Sequence, residues 1–274
     1  MRRLLFLAAC LLLPSAARAD NPVVRFSVPF VGFFDVELCE ETSDHCLGAA
    51  PNTVANFLGY MDAGAYGPGS FIHRSVTYLD NNNDVTFSVV QGGSFFVHVV
   101  DTLGWDCVVP YECGVLGSMP PPVLHNEFNQ SNVRGTMSVP LQSSANATTA
   151  CETLPDSGTS GWFINVSDAN ASIDCGKFTV FGIVLGNGMD VVDRLSALPY
   201  VCFDDGSGNC DPVFSSVPLV NYPDPCGGTG QPACPDLSNP FPYLLYYSVP
   251  EPGAAAGAFA ALATTAALAR SRRR

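Results

Sequence analysis

Short β-rich runs separated by turn residues limit what this chain can fold into more than any other feature. Residues 23–29 and 33–38 are two such runs, divided by Phe30-Val31-Gly32, and they read as a hairpin. Similar runs recur at 70–72, 86–90, 95–100, 135–139, 161–166 and 178–185, and again in VFSSVPLV (213–220) and YLLYYSV (243–249). Two segments carry a helical period instead. In APNTVANFLGYMDAGAY, Pro51 opens a helix, Val54, Phe57, Leu58 and Met61 share one face, and Gly64 ends it. In GMDVVDRLSAL (188–198), Met189, Val192 and Leu195 share a face. Many short strands with one early and one late helix predict a mainly β fold, a closed antiparallel barrel with helical lids.

The two ends lie outside that core. Residues 1–19 read as a secretory signal, with Arg2 and Arg3, an apolar run over 4–13, and Ala17-Arg18-Ala19 as the cleavage site. At the other end, VPEP (249–252) precedes an Ala-rich apolar run and a cluster of arginines. The pattern is a short, marginal membrane segment with a cationic stop. It resembles the PEP-CTERM sorting signal of Gram-negative bacteria, which implies recognition by export and sorting machinery and a periplasmic or surface location. An ordinary membrane anchor is the alternative for this tail. The span 20–248 is then the folded domain, with insertions at about 101–122, 140–156 and 199–240. The insertions hold too little apolar periodicity to form cores of their own.

Of the twelve Lys and Arg residues, seven fall in the two ends, leaving Arg25, Arg74, Arg134, Lys177 and Arg194 against twenty-four carboxylates. A domain with that formal net charge of −19 is excluded from binding nucleic acid or an anionic membrane surface, since both need cationic patches. Ten cysteines remain once Cys10 of the signal is set aside, an even number that points to disulfides in an exported chain. Pairing of neighbours in order is expected: Cys39–Cys46, Cys107–Cys113, Cys151–Cys175, Cys202–Cys210 and Cys226–Cys234. No C-x-x-C occurs, so neither a zinc site nor a thioredoxin-type motif is expected.

Seven collinear pieces carry a wider resemblance: FDVELCE, APNTVANFLGYMDAGAY, SFIHRSV, VVQGG, NEFNQSNVRGTMSV, DSGTSGWFINVSDANASID and KFTVFGIVLGNGMDVVDRL. In this order they resemble the cyclophilin-type peptidyl-prolyl cis–trans isomerases, over about residues 23–248. The resemblance implies an eight-stranded barrel, a proline-containing polypeptide as substrate, no cofactor and no metal. Its F-H-R arginine matches Arg74, the glutamine of its Q-G-G motif matches Gln91, and an aromatic of its S-Q-F-F-I motif matches Phe163. These three are the implied catalytic residues, with Val89, Val139, Gly161, Trp162, Ile173 and Phe178 as substrate-binding neighbours. The chain departs from the pattern in places. The Arg74–Gln91 connection is lengthened by TYLDNNNDV, the second glutamine is Gly161, and the Met-Ala-Asn segment is Val139-Pro140-Leu141. These departures predict reduced activity.

Other constellations read more plainly. Asp80, Asn82 and Asp84 resemble the start of a calcium loop but lack its glycine and distal glutamate, and a solvated turn is expected. The stretch Asp204–Asp211 is a weaker candidate of the same kind. His45, His73, His98 and His125 show no ligand spacing and read as surface or hydrogen-bonded histidines. Asn129, Asn146, Asn165 and Asn170 fit N-x-[ST], a match that arises by chance in such a chain. Three functions fit these residues: an isomerase assisting the folding of exported proteins, a catalytically weak module binding proline-containing segments at the cell surface, and a structural matrix protein. A monomer is expected.

Overall fold

The computed structural model describes residues 20–67, 69–95, 99–100, 104–105, 124–203, 209–210, 214–221 and 244–249. The strands are β1 (Val23–Val28), β2 (Gly32–Leu38), β3 (Arg74–Leu79), β4 (Val85–Gly92), β5 (Val99–Val100), β6 (Gly104–Trp105), β7 (Thr136–Ser138), β8 (Trp162–Asn165), β9 (Val180–Val184), β10 (Tyr200–Val201) and β11 (Val217–Pro218). Seven of them form one antiparallel sheet in the order β1-β2-β9-β7-β8-β4-β3, while β5–β6 and β10–β11 are two-stranded ribbons. Helices α1 (Pro51–Asp62) and α2 (Gly188–Ser196) are joined by a third, a 3-10 helix at Asp168–Gly176.

The expected closed eight-stranded barrel is corrected: among the described residues the sheet has seven strands, and its outer strands β1 and β3 do not pair with each other. Residues 244–249 lie across the gap through isolated bridges, Ser27 with Ser248 and Phe71 with Tyr246. Ser248 N–H donates to Ser27 O at 3.0 Å, Tyr247 N–H to Ser70 O at 3.0 Å, and Ile72 N–H to Leu245 O at 2.9 Å. The segment meets the chain just ahead of β3 rather than β3 itself, so no continuous ladder forms. The expected run at 70–72 therefore holds isolated bridge residues, Ser70 and Phe71, and the regular strand begins at Arg74.

The core explains most of the elements. Pro51 stands at the start of α1, where its missing N–H costs nothing, and Val54, Phe57 and Met61 are buried as their spacing predicts. Phe57 packs on Tyr66 and Phe181, with ring centroids 4.8 and 5.4 Å away. Phe26 stacks on Phe34 and meets Trp162 edge-on, each at 5.0 Å. Val191, Val192 and Leu195 of α2 are buried against the sheet, and Met189 packs at the cluster's margin. A smaller apolar cluster gathers Phe71, Val201, Val217, Leu219 and Leu244.

Three of the expected disulfides form, Cys39–Cys46, Cys151–Cys175 and Cys202–Cys210. The pairs Cys107–Cys113 and Cys226–Cys234 lie outside the described residues, as do the signal and the tail beyond Val249. Among the described residues no helix is long and apolar enough to cross a membrane. The insertion at 140–156 folds into a small hairpin around the Ser143–Thr153 bridge. Cys151–Cys175 and a hydrogen bond from Thr153 Oγ1 to Gly176 O (2.7 Å) tie it to the 3-10 helix.

Candidate active site

The registers of three adjacent strands set the site. Arg74 on β3 stands opposite Gln91 on β4, and Gln91 stands opposite Phe163 on β8. Side chains alternate along a strand, so these three share one face and form a row across the sheet. The row opens into a groove of about 440 Å³. Val89, Ile173 and Phe178 line the same groove, and Val89, Phe163 and Ile173 form a small apolar cluster there. The Phe178 ring meets Phe163 edge-on at 5.8 Å.

The charge state of the row is unusual for so acidic a protein. Arg25 and Arg134 each hold a carboxylate at 2.7 Å, Asp35 and Asp193 respectively. Among the described residues Arg74 has no such partner within ion-pair distance. Its Nη2 donates a long hydrogen bond, 3.4 Å, to the Tyr78 hydroxyl, and its buried Nε has no partner among the described residues. A guanidinium held this way keeps donors available to a ligand.

Six of the nine sequence-predicted site residues therefore meet in one groove: Arg74, Gln91, Phe163, Val89, Ile173 and Phe178. The other three do not line it. Trp162 neighbours Phe163 and so faces the opposite side of the sheet, where it is fully buried and donates its Nε1–H to Tyr247 OH at 3.3 Å. Gly92 and Gly93 make room for that indole: a Cβ on Gly92 would lie 2.5 Å from Trp162 Cζ2, and one on Gly93, whose φ is +83°, 2.5 Å from Ser160 O. Val139 is buried in the main core. Gly161 is packed under Pro140, whose Cγ would lie 2.6 Å from an added Cβ, so the missing side chain leaves no open space.

The groove also holds residues that the sequence reading missed. Tyr78 and Phe87 extend one end of it, and Leu141, Ser143, Ala150 and Thr153 of the insertion form a wall. Tyr78 follows Arg74 and Val76 at alternate positions, a signal available once β3 is read as a strand. For the insertion the one such signal is the expected Cys151–Cys175 pairing, which ties it to the 3-10 helix that carries Ile173.

A buried polar network supports the groove floor. Asn170 exchanges two hydrogen bonds with the Ser88 backbone, each 2.8 Å, and donates to Asn165 Oδ1 at 2.7 Å. Asn165 donates to Thr136 Oγ1 at 2.8 Å. Asn132 binds Asp174 Oδ1 through both its backbone and side chain, at 2.8 and 2.9 Å, and donates to Phe178 O at 3.1 Å. These bonds anchor the 3-10 helix that carries Ile173, and the strand entry that carries Phe178. Asn165 and Asn170 are fully buried, so their glycosylation triplets are inaccessible in the fold.

Behind the row lies His73. It is not a surface histidine: it is 1% exposed, its ring lies 4.7 Å from Phe95, and among the described residues its Nδ1 has no hydrogen-bond partner. Burial, and secondarily the charge of Arg74, pushes its pKa down to about 3, so the imidazole is neutral. His45 instead pairs with Glu37 at 2.7 Å. Asp80 closes the β3–β4 turn, its Oδ1 accepting from Asn82 N and Asp84 N at 2.8 and 2.9 Å. Those backbone bonds, Asp84's first, hold its carboxyl below the usual range. Most of Asp204–Asp211 and the side chain of His98 lie outside the described residues.

Residues 47–209, more than half of the chain, match the family model described as cyclophilin type peptidyl-prolyl cis-trans isomerase/CLD. A peptidyl-prolyl cis-trans isomerase of Acinetobacter baylyi is 28% identical over 192 residues, covering 69% of this chain and 79% of that protein. Among solved structures, a Cryptosporidium parvum cyclophilin type peptidyl-prolyl cis-trans isomerase aligns with 18% identity and a TM-score of 0.42, covering 71% of this chain and 89% of that one. The same protein crystallised in the presence of the dipeptide ala-pro aligns with 18% identity and a TM-score of 0.39, over 73% and 100% of the two chains.

Proposed function

The chain belongs to the cyclophilin-type peptidyl-prolyl cis-trans isomerase family, and from that premise we propose that its groove isomerises Xaa–Pro bonds, with Arg74 as the electrophilic group. The observation that carries this reading is the row Arg74–Gln91–Phe163, three register partners on adjacent strands opening into one groove.

The chemistry follows from the bond itself. Resonance between the imide nitrogen and the carbonyl sets a rotation barrier of about 18–20 kcal/mol. As the bond twists, conjugation breaks and the nitrogen regains a lone pair. A guanidinium donor aimed at that lone pair binds the twisted state and not the planar one, which lowers the barrier. Arg74 suits this role because it lacks a carboxylate partner among the described residues. Phe163, Val89, Ile173 and Phe178 form the apolar floor that receives the proline ring, and the Gln91 amide holds a neighbouring backbone carbonyl. No nucleophile, metal or cofactor enters the step.

The biological setting belongs to the same proposal. The signal-like residues 1–19 and the VPEP tail direct the protein across the inner membrane of a Gram-negative bacterium, to the periplasm or cell surface, where it assists the folding of exported proteins as a monomer. The disulfides Cys39–Cys46, Cys151–Cys175 and Cys202–Cys210 support an oxidising location.

The test is an isomerisation assay on an Ala-Pro peptide with wild type, Arg74→Ala and Arg74→Lys. Loss of at least about 100-fold in kcat/KM for Arg74→Ala is expected, the scale of removing one donor to a developing charge. Equal rates for wild type and Arg74→Ala overturn the reading. A second reading is a binding module without turnover. It is favoured by the single amide side chain, Gln91, among the groove's groups for fixing a peptide backbone. Peptide binding without isomerisation by the wild type would select it.

A further inference from the structure

The geometry points to a second, specificity-determining subsite on the β3–β4 hairpin: Tyr78 and Phe87 form an aromatic shelf that receives a bulky apolar side chain one or two residues from the proline. The inference rests on the proposed isomerase reading of the groove and adds a sequence preference to it.

Three observations carry it. First, the hairpin continues past the Arg74–Gln91 pair through Val76–Val89 to Tyr78–Phe87, and these alternate positions share the groove face. The ladder becomes irregular immediately after Tyr78, so this pair is the last regular row before the turn. Second, the two rings stack at 5.7 Å with planes 25° apart, and both line the groove. Tyr78 stays 52% exposed, leaving a preformed apolar surface beside the row. Third, the shelf is tied to the row, since the Tyr78 hydroxyl accepts from Arg74 Nη2 at 3.4 Å. The side chain of Tyr78 thus leans back toward Arg74.

Distance sets which substrate residue reaches the shelf. Four residues of strand separate the Cα atoms of Arg74 and Tyr78 by about 13 Å, and the leaning ring covers part of that span. An extended peptide advances about 3.3–3.6 Å per residue, so one or two residues carry a side chain from the row onto the shelf. Stacked rings take aromatic partners best, offset or edge-on. Asp80 and Asp84 stand at the turn directly beyond, and their charge disfavours an acidic side chain there.

The experiment uses Xaa-Pro peptides that differ only in one residue, placed one or two positions to either side of the proline, as Phe, Leu, Ala or Glu. Both isomerisation and direct peptide binding are measured for wild type, Tyr78→Ala, Tyr78→Phe and Phe87→Leu, with melting curves to confirm folding. In the wild type, the Phe peptide at its preferred position is expected to exceed the Ala peptide about three- to tenfold, through KM and not kcat, and the Glu peptide to fall below both. Tyr78→Ala collapses the Phe/Ala ratio toward one, and Tyr78→Phe retains it. A wild-type ratio of one, or a ratio unchanged in Tyr78→Ala, overturns the shelf. Absence of turnover with a Phe/Ala binding ratio that still depends on Tyr78 overturns the isomerase reading and leaves the shelf standing.

Discussion

On one side of the groove, Arg74, Gln91 and Phe163 are held by the hydrogen-bond ladders of β3, β4 and β8. On the other, Leu141, Ser143, Ala150 and Thr153 belong to an insertion tied down by the Cys151–Cys175 disulfide, the Thr153 Oγ1 bond to Gly176 O, and bonds from Asn126 to Pro155 O and Asp156 Oδ1, rather than by a strand ladder. The first side cannot shift without breaking strand pairing. The second can loosen while the sheet stays folded. The proposed chemistry sits on the rigid side, and the adaptable side shapes what the groove will accept.

The largest expected effect breaks the two sides apart by function. Arg74→Ala lowers kcat/KM by at least about 100-fold while leaving the melting temperature nearly unchanged, because the guanidinium pairs with no described carboxylate and its Nε has no partner among the described residues. Arg74→Lys restores little, since an ammonium lacks the planar fork of donors. Parallel melts and peptide assays check both halves of the statement.

Opening the disulfide should do the reverse. Cys151→Ser with Cys175→Ser removes a link across a sequence separation of 24 residues, at a cost of about 3 kcal/mol by loop-closure entropy. Peptide KM rises and kcat is kept, as expected where the lost contacts bind ground and transition states alike. A fall in kcat equal to that of Arg74→Ala would show that the two sides do not act separately.

A third measurement probes beneath the rigid side. His73 has a pKa of about 3 when folded and about 6.5 when unfolded. The unfolded chain therefore binds the extra proton between those values. Stability attributable to the neutral, buried ring is present above about pH 6.5 and is lost as pH falls toward 3, by up to about 1.4 kcal/mol per pH unit. His73→Phe should flatten the dependence of melting temperature on pH in that window. The smallest effect is expected for Thr153→Val, which removes the hydroxyl bond to Gly176 O and costs about 1 kcal/mol; a chemical-denaturation midpoint measures it.

Local patterns made much of this molecule readable before its structure. The β1–β2 hairpin was visible from two β-rich runs around Gly32, and α1 from Pro51 and the spacing of Val54, Phe57 and Met61. Arg74, Gln91 and Phe163 were found through motif order, but their shared row depends on strand register, which no single motif encodes. Alternation explains the error at Trp162: one position on β8 separates groove from core, and both faces take aromatic residues. The strand at Arg74–Leu79 was missed because it opens on a charged residue and alternates toward solvent. The insertion's place beside the groove was legible only through the expected Cys151–Cys175 pairing, since no local preference of its own residues puts it there.

The segment at 244–249 has a further consequence, for the order in which the molecule can be completed. It supplies backbone partners to Ser27 at one margin and to Ser70 and Ile72 at the other. A ribosome releases the chain from its amino end, so these backbone groups wait for their partners until most of the folded domain has emerged. Zipping of the seam is thus a late event in the folding of this domain, and a nascent protein stalled short of Leu244 would keep two adhesive margins open to its neighbours.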